Sequence, residues 1–319
     1  MNILILSCGT RYKLVQYFMD RKNGFKKVIV TDCSRFAPAL YIADRYYIVP
    51  KITDDNYLST LFYICEKENI NVVLPLLENE LTLISKNKQA FTERSIVAAV
   101  SDFDKINLCR DKYLFSEYLK QYNIPTVDTF SSADAETAIE EIDGAIFIKP
   151  RFGCGSIGTV KVENPDLLNL FVDQTKEEIV LQPFIEGEEF GVDAYIDLQT
   201  RTLVSIFVKK KLRMRAGETE KSVSVQDRRL FSFVEHTLNL FGLIGPIDID
   251  IIKSKGIYYI LEINPRFGGG YPHAYECGVN FPYLLSRNAK KEENVRIIGN
   301  YDEGVIALKY SELLIQNGN

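Results

Sequence analysis

A chain of 319 residues, 46% hydrophobic and 25% charged, carries enough apolar surface for two or three packed units. Its net charge of −5 gives general nucleic-acid binding no electrostatic footing, and no apolar run approaches the roughly 18 residues of a membrane span. Six scattered cysteines without metal-ligand spacing and only two histidines leave zinc and histidine-triad chemistry little to work with.

The opening stretch 1–7 is too short for a signal-peptide core and lacks a basic flank, so it reads as a buried parallel strand. The expected compartment is the reducing cytoplasm. Strand signals at 3–6, 28–30, 46–49, 72–76 and 96–100 alternate with helical patterns such as 12–21 and 55–69. That alternation predicts a doubly wound parallel sheet. The first turn, Ser7-Cys8-Gly9-Thr10-Arg11, has one glycine where a dinucleotide fingerprint needs three. Asp32 is therefore read as a strand-end polar residue rather than a ribose acid. Glu78 and Glu80 follow the strand ending at Leu77, where ligands gather in open α/β sheets. Either acid contacts a substrate or opens a solvated helix.

A boundary is expected near 101–107, followed by a helical run stopped at Asn123-Ile124-Pro125. A strand at 145–150 enters Arg151-Phe152-Gly153-Cys154-Gly155-Ser156-Ile157-Gly158-Thr159, and another strand follows at 160–162. A glycine-rich loop between two strands is a flap, or a plain hairpin, and not a Walker loop. Its backbone N–H groups can lie against phosphates, with Lys149 as a point charge beside them. The segment 179–190 runs from an apolar strand through Pro183 into an acidic turn, a hinge whose free backbone groups suit a nucleobase. The strand 202–215 places Lys209, Lys211, Arg213 and Arg215 on one face, where they repel unless anions meet them. The alternative is an exposed basic edge that blocks aggregation. An amphipathic helix over 232–241 ends at Gly242.

Strands at 247–252 and 258–263 flank the turn Lys253-Ser254-Lys255-Gly256. A turn centred on Gly256 would set Asp250 opposite Glu262 and Asp248 opposite Asn264. Side chains alternate along a strand, so these oxygens share one face and form a cluster that needs cations. They are hard ligands of the kind Mg²⁺ takes. Arg266 follows at once on a Pro-Arg turn. The three glycines 268–270 mark a mobile or closely approached loop, with His273 beyond as a structural residue or a substrate contact. The tail 305–314 reads as a strand and a short helix.

The order of Lys112, Lys149 with its glycine flap, the Gln182–Glu189 hinge, Asp250 and Glu262-Ile263-Asn264-Pro265-Arg266 resembles the ATP-grasp superfamily, in its carbamoyl-phosphate synthase large-subunit-like branch. The resemblance covers nearly the whole chain. It implies an α/β and α+β protein: a doubly wound pre-grasp domain at 1–107, a lid subdomain with the flap at 108–185, and a subdomain with the metal hairpin at 186–319. ATP would be held by Lys112, Lys149, Gly153, Gly155, Ser156, Gly158, Gln182, Phe184, Ile185 and Glu189. Asp250, Glu262 and Asn264 would hold Mg²⁺, with Mn²⁺ as an alternative. Arg266, Arg213 and Arg215 would act in catalysis, and Glu80, Glu218 and His273 would meet substrate. The implied activity is a carboxylate–amine ligase that forms an acyl phosphate and releases ADP and phosphate. Small molecules are its implied partners, with neither nucleic acid nor membrane, and a homodimer is in keeping with the superfamily. A non-catalytic ATP-binding sensor and an NAD(P)-dependent oxidoreductase are the competing readings. Gln182 stands where relatives have glutamate, and Asp250 where some have glutamine.

Overall fold

The computed structural model describes residues 1–153, 158–163, 178–215 and 217–316. Five parallel strands, β1 (Asn2–Ile5), β2 (Lys27–Asp32), β3 (Arg45–Ile48), β4 (Val72–Leu74) and β5 (Val97–Ala98), form a sheet in the order β3-β2-β1-β4-β5. Alternation along these strands feeds two cores. Ile3, Ile5, Val28, Val30, Val72 and Leu74 enter one, while Leu4, Ile29 and Val73 enter the other. A parallel sheet buried on both faces needs such continuous apolar strands. Each fully buried Leu or Ile contributes about 1.5–3 kcal/mol. This is the expected doubly wound sheet.

Four strands, β6 (Phe130–Ser131), β7 (Ile146–Pro150), β8 (Val160–Val162) and β9 (Ile179–Pro183), make a small antiparallel sheet ordered β6-β9-β7-β8. The third sheet holds β10 (Glu188–Ile196), β11 (Leu203–Arg215), β12 (Glu218–Ser224), β13 (Gly245–Ser254), β14 (Ile257–Asn264), β15 (Ile297–Ile298) and β16 (Ile306–Leu308). Its order is β14-β13-β10-β11-β12-β16, with β15 beside β11. One face packs Val192, Ala194, Ile206, Val208, Ile249 and Ile251 against the helix Arg228–Phe241. Asp227 caps that helix through Arg229 N (2.9 Å) and Leu230 N (3.1 Å), and Gly242 ends it at φ 63°. The helix thus starts four residues before the predicted 232. On the other face Tyr195 and Phe207 join Phe267, Tyr271 and Phe281 in the core of the first sheet, which ties the two units together.

The segment expected as a boundary is largely helical, Phe103–Arg110. The tail forms only β16, and its expected short helix is absent among the described residues. Among those residues no helix is long and apolar enough to cross a membrane.

Candidate functional site

The hairpin β13–β14 turns on two residues, Lys255 (φ 49°) and Gly256 (φ 83°), with Ser254 opposite Ile257. Two positive φ values are what a tight right-twisted hairpin requires. The turn therefore centres between Lys255 and Gly256 and not on Gly256 as expected. A regular ladder from that turn would set Leu261 opposite Asp250. An irregularity between Asp250 and Ile251 corrects this: Ile251 pairs with Ile260, but Asp250 pairs with Glu262 and Asp248 with Asn264. The extra residue on β14, a β-bulge, moves Glu262 and Asn264 onto the face of the two aspartates.

The neighbouring strands complete that face. Gly191 lies opposite Asp250 and Asp193 opposite Asp248. Lys211 of β11 reaches across β10 to donate to Asp250 Oδ1 at 2.6 Å. Gly191 leaves the passage open, since a Cβ there would lie 3.1 Å from Lys209 Cε and 3.5 Å from Lys211 Cε. Lys209 pairs with Asp193, and both are buried. Asn264 donates to Glu262 Oε1 at 2.9 Å, and Arg266 Nη2 donates to Asn264 Oδ1 at 3.2 Å. Arg266 also stands 3.9 Å from Asp248 Oδ2. Burial, then Asp250, raises the Glu262 carboxyl above its ordinary value. The same two causes push Asp248 up to about 7. Burial opposes the Lys211 charge, but Asp250, Asp248 and Glu189 more than offset it.

Lys149, on β7 of the small sheet, and Lys112, at the start of the helix Lys112–Gln121, both act on Glu262 in this cluster. Asp111 caps the helix Lys112–Gln121 and takes a bidentate grip from Arg151 (2.8 and 2.7 Å), which fixes Lys112 at the helix start. Lys112 Nζ donates to Gly153 O at 2.8 Å. Lys149 Nζ donates to Gln182 Oε1 at 2.8 Å, and Gln182 in turn donates to Thr129 at 2.9 Å. Burial lowers the pKa of Lys149, against the pull of Glu262, Asp250 and Glu189. Lys112, Gly153, Glu262, Asn264 and Arg266 line one cavity, with Glu78 at its edge. Phe184 and Ile185 lie in the connection from β9 to β10, where Phe184 stacks on Phe147 at 5.5 Å and Lys161 sits 4.3 Å over its ring. Gly153 (φ 129°) and Gly158 (φ 73°) hold left-handed backbone at the ends of the loop; Cys154, Gly155 and Ser156 lie outside the described residues.

The donors fit Mg²⁺. Two carboxylates and an amide oxygen are hard ligands, and Lys211 already neutralises the acids as a cation would. Among the described residues no three His, Cys, Asp or Glu side chains form a ready cage. Mg²⁺ characteristically takes one or two carboxylates and completes its shell with phosphate and water.

Two expected substrate contacts are corrected. Glu80 is fully buried and accepts from Ser7 Oγ at 2.6 Å and from Tyr57. Residues two apart on a helix point to different sides, so Glu80 turns inward while Glu78 faces the cavity, held by Arg110 at 2.7 Å. His273 is buried with both nitrogens engaged, by Ser222 Oγ at 2.8 Å and Val305 O at 3.1 Å. A carbonyl only accepts, so Nε2 carries the proton and Nδ1 takes the hydroxyl's. Burial, aided by Lys209, lowers its pKa to about 4. Unfolding restores a value near 6.5, so the unfolded chain binds the extra proton first. Stability should then fall as pH drops from about 6.5 to 4, by up to about 3 kcal/mol from this group. Urea unfolding across that window should show a shallower slope in His273→Gln; an unchanged slope would remove His273 as the cause.

Arg213 and Arg215 lie beyond an irregularity in β11 and are exposed, paired with Glu220 at 2.9 and 3.4 Å. Glu218 lies nearer the cluster, bonded to Lys309 at 2.8 Å and within the fields of Arg11 and Arg266. Lys211 and Asp193 went unassigned as site residues in the sequence. The signal for Lys211 was the cationic row, which demanded anions; Asp250 is one of them.

Against known proteins, the family signature described as PylC-like, N-terminal domain matches residues 3–99, and the one described as ATP-grasp domain matches 109–270. The carbamoyl phosphate synthase large chain of Clostridium perfringens (strain SM101 / Type A) is 23% identical over 269 residues, which are 79% of this chain and 25% of that protein. The chain thus spans about a quarter of the length of this curated relative. The structure of N5-carboxyaminoimidazole synthetase from Staphylococcus aureus complexed with ADP superposes with a TM-score of 0.74 at 19% identity, covering 96% of this chain and 79% of that one. The L-amino acid ligase from Bacillus licheniformis gives 0.72 at 20%, covering 92% and 75%. At such identities the likeness to solved structures concerns the fold. The match over 109–270 takes in just over half of the 319 residues and contains the whole Lys112–Arg266 arrangement, so the chain belongs to the ATP-grasp family.

Proposed function

We propose that the protein is an ATP- and Mg²⁺-dependent ligase that activates a small carboxylate as an acyl phosphate and joins it to an amine. The observation that carries this is the facing of two charge sets across one cleft. Asp250, Glu262 and Asn264 stand on one wall, and Lys112 and Lys149 on the other. A nucleoside triphosphate bridged by a cation is the ligand that satisfies both.

On this reading Gln182, Phe184, Ile185 and Glu189 hold the nucleoside, and Lys112, Lys149 and the flap hold the phosphates. Residues 1–107, 108–185 and 186–319 then serve as pre-grasp domain, lid and metal-bearing body. Asp250, Glu262 and Asn264 would hold Mg²⁺, which when bound supplies charge neutralisation to the transferring phosphoryl group. Arg266, tied to Asn264, offers its guanidinium to the same charge and to the acyl phosphate. No protein nucleophile is needed, because transfer of phosphoryl is mostly positioning and electrostatics. Closure of the flap would keep water from the acyl phosphate. The carbamoyl-phosphate synthase-like branch is supported by the 23% identity; the ligase chemistry does not depend on that finer placement.

The test is ADP release from ATP and Mg²⁺ with pooled carboxylates and amines. Release that requires one of each supports the reading. ATP binding with no substrate-dependent ADP in any pool would favour a sensor and overturn it.

A further inference from the structure

We propose that Arg11 and Glu218 form a clamp for the zwitterionic head of an α-amino acid, making an amino acid one of the two substrates; this rests on the ligase reading above. Arg11 ends the loop after β1, at the carboxyl edge of the first sheet. Glu218 opens β12 of the third. The two meet over Gly269. A Cβ on Gly269 would lie 3.3 Å from Arg11 Nη1 and 3.3 Å from Glu218 Oε1.

Gly269 is not among the residues with left-handed backbone, so its conformation does not demand glycine. What the missing side chain permits is the close approach of a cation and an anion to the same stretch of backbone. The other two glycines of the run serve close approach as well. A Cβ on Gly268 would fall 2.2 Å from Asp248 Oδ1, and one on Gly270 would fall 2.6 Å from Lys209 Cε. The clamp therefore adjoins the Asp248–Asp250 cluster, beside the phosphate end of the cleft.

The charge count suits a zwitterion. The second oxygen of Glu218 is held by Lys309 at 2.8 Å, and Arg11 and Arg266 also bear on this carboxylate. Lys309, Arg11 and Arg266 together keep it ionised, below the usual carboxylate range, against the cost of burial. Lys309, Arg11 and Arg266 all bear on this one carboxylate, so a carboxylate entering here would meet guanidinium and an ammonium would meet Glu218. A bound zwitterion would exchange the attraction between Arg11 and Glu218 for two ion pairs, carboxylate to guanidinium and ammonium to carboxylate. Guanidinium is suited to this because it grips a carboxylate with two parallel donors. Bringing Arg11 from a different sheet makes the site depend on the docking of the first unit on the third, which the shared core of Phe207, Phe267 and Tyr271 enforces.

The test is calorimetry on the full chain saturated with ADP and Mg²⁺. The probes are the common α-amino acids in both configurations, each with its carboxamide and its des-amino analogue. At least one amino acid should bind, with both analogues at least tenfold weaker. Arg11→Gln should erase the preference for acid over amide, and Glu218→Gln the preference for amino over des-amino. Rescue of the first preference by Arg11→Lys would mark a charge contact rather than a packing one. Binding of ADP with no amino acid binding, or variants that retain both preferences, overturns the clamp and leaves the ligase reading intact. Discrimination among the probes without any ADP affinity upholds the clamp as a binding site but overturns the ligase reading, and with it the amino acid's role as a substrate.

Discussion

Glu262→Gln should lower substrate-dependent ADP formation by about 10²–10³-fold, in line with losses seen when one transition-state contact is removed. The replacement keeps shape and removes the charge that a cation needs. Asn264 donates to Glu262 Oε1, and Arg266 to Asn264, so a neutral amide at 262 also disturbs the order of that short chain. Folding should not suffer. Burial and Asp250 both disfavour the ionised Glu262 carboxyl, so its charge works against stability at neutral pH. A carboxyl buried beside another acid at such cost is a group kept for function. Thermal unfolding of the variant should be equal to or above that of the unaltered chain. Near-normal turnover would remove Glu262 from the reaction; lost turnover with a lowered melting temperature would point to misfolding instead.

The parts of the site legible in the sequence are those with strict periodicity. Period-2 alternation put Asp248 and Asp250 on one face of β13, and Glu262 and Asn264 on one face of β14. The pairing between strands came out as expected for a mistaken reason. The turn lies half a residue earlier, and a bulge near Leu261 makes up the difference. Bulges leave no clear mark in local propensity, because they answer to the twist of the whole sheet. The parallel sheet was legible because buried strands such as 3–6 and 72–74 are continuously apolar. Glu80 and His273 were misplaced for a shared reason: polarity alone does not reveal whether a residue faces a cavity or a buried partner. Ser7 and Tyr57 hold one, Ser222 and Val305 the other, from 73, 23, 51 and 32 residues away in sequence. The glycines 268–270 were read as mobile or closely approached, and geometry decides for close approach. Arg11 carried a usable signal, its place at the carboxyl end of a parallel strand. Its anion, Glu218, lies more than two hundred residues on, and only the fold joins them.

Lys209→Met should destabilise the protein by about 3–5 kcal/mol, the usual cost of removing one partner from a buried ion pair. Lys209 is 1% exposed and Asp193 is 1% exposed, so neither can turn to water. Burial already pushes the Asp193 carboxyl up, and Lys209 is what holds it down. Asp193 pairs across β10–β13 with Asp248, and Asp250 is close enough to raise both carboxyls. Without Lys209, three acids would crowd one patch of sheet, with Lys211 beside Asp250 and Arg266 beside Asp248 but Asp193 without its paired lysine. The double variant Lys209→Met with Asp193→Leu removes the stranded charge and should recover most of the loss, since apolar replacement of a buried pair is often neutral or better. Gly270 gives a second handle: a methyl there would press on Lys209 Cε at 2.6 Å, within reach of a flexible side chain's adjustment. Gly270→Ala should therefore cost less than Lys209→Met. Urea unfolding of the four proteins decides the matter. A single-variant loss below about 1 kcal/mol, or a double variant no better than Lys209→Met, would mean that the pair is not what keeps these acids together under the cleft.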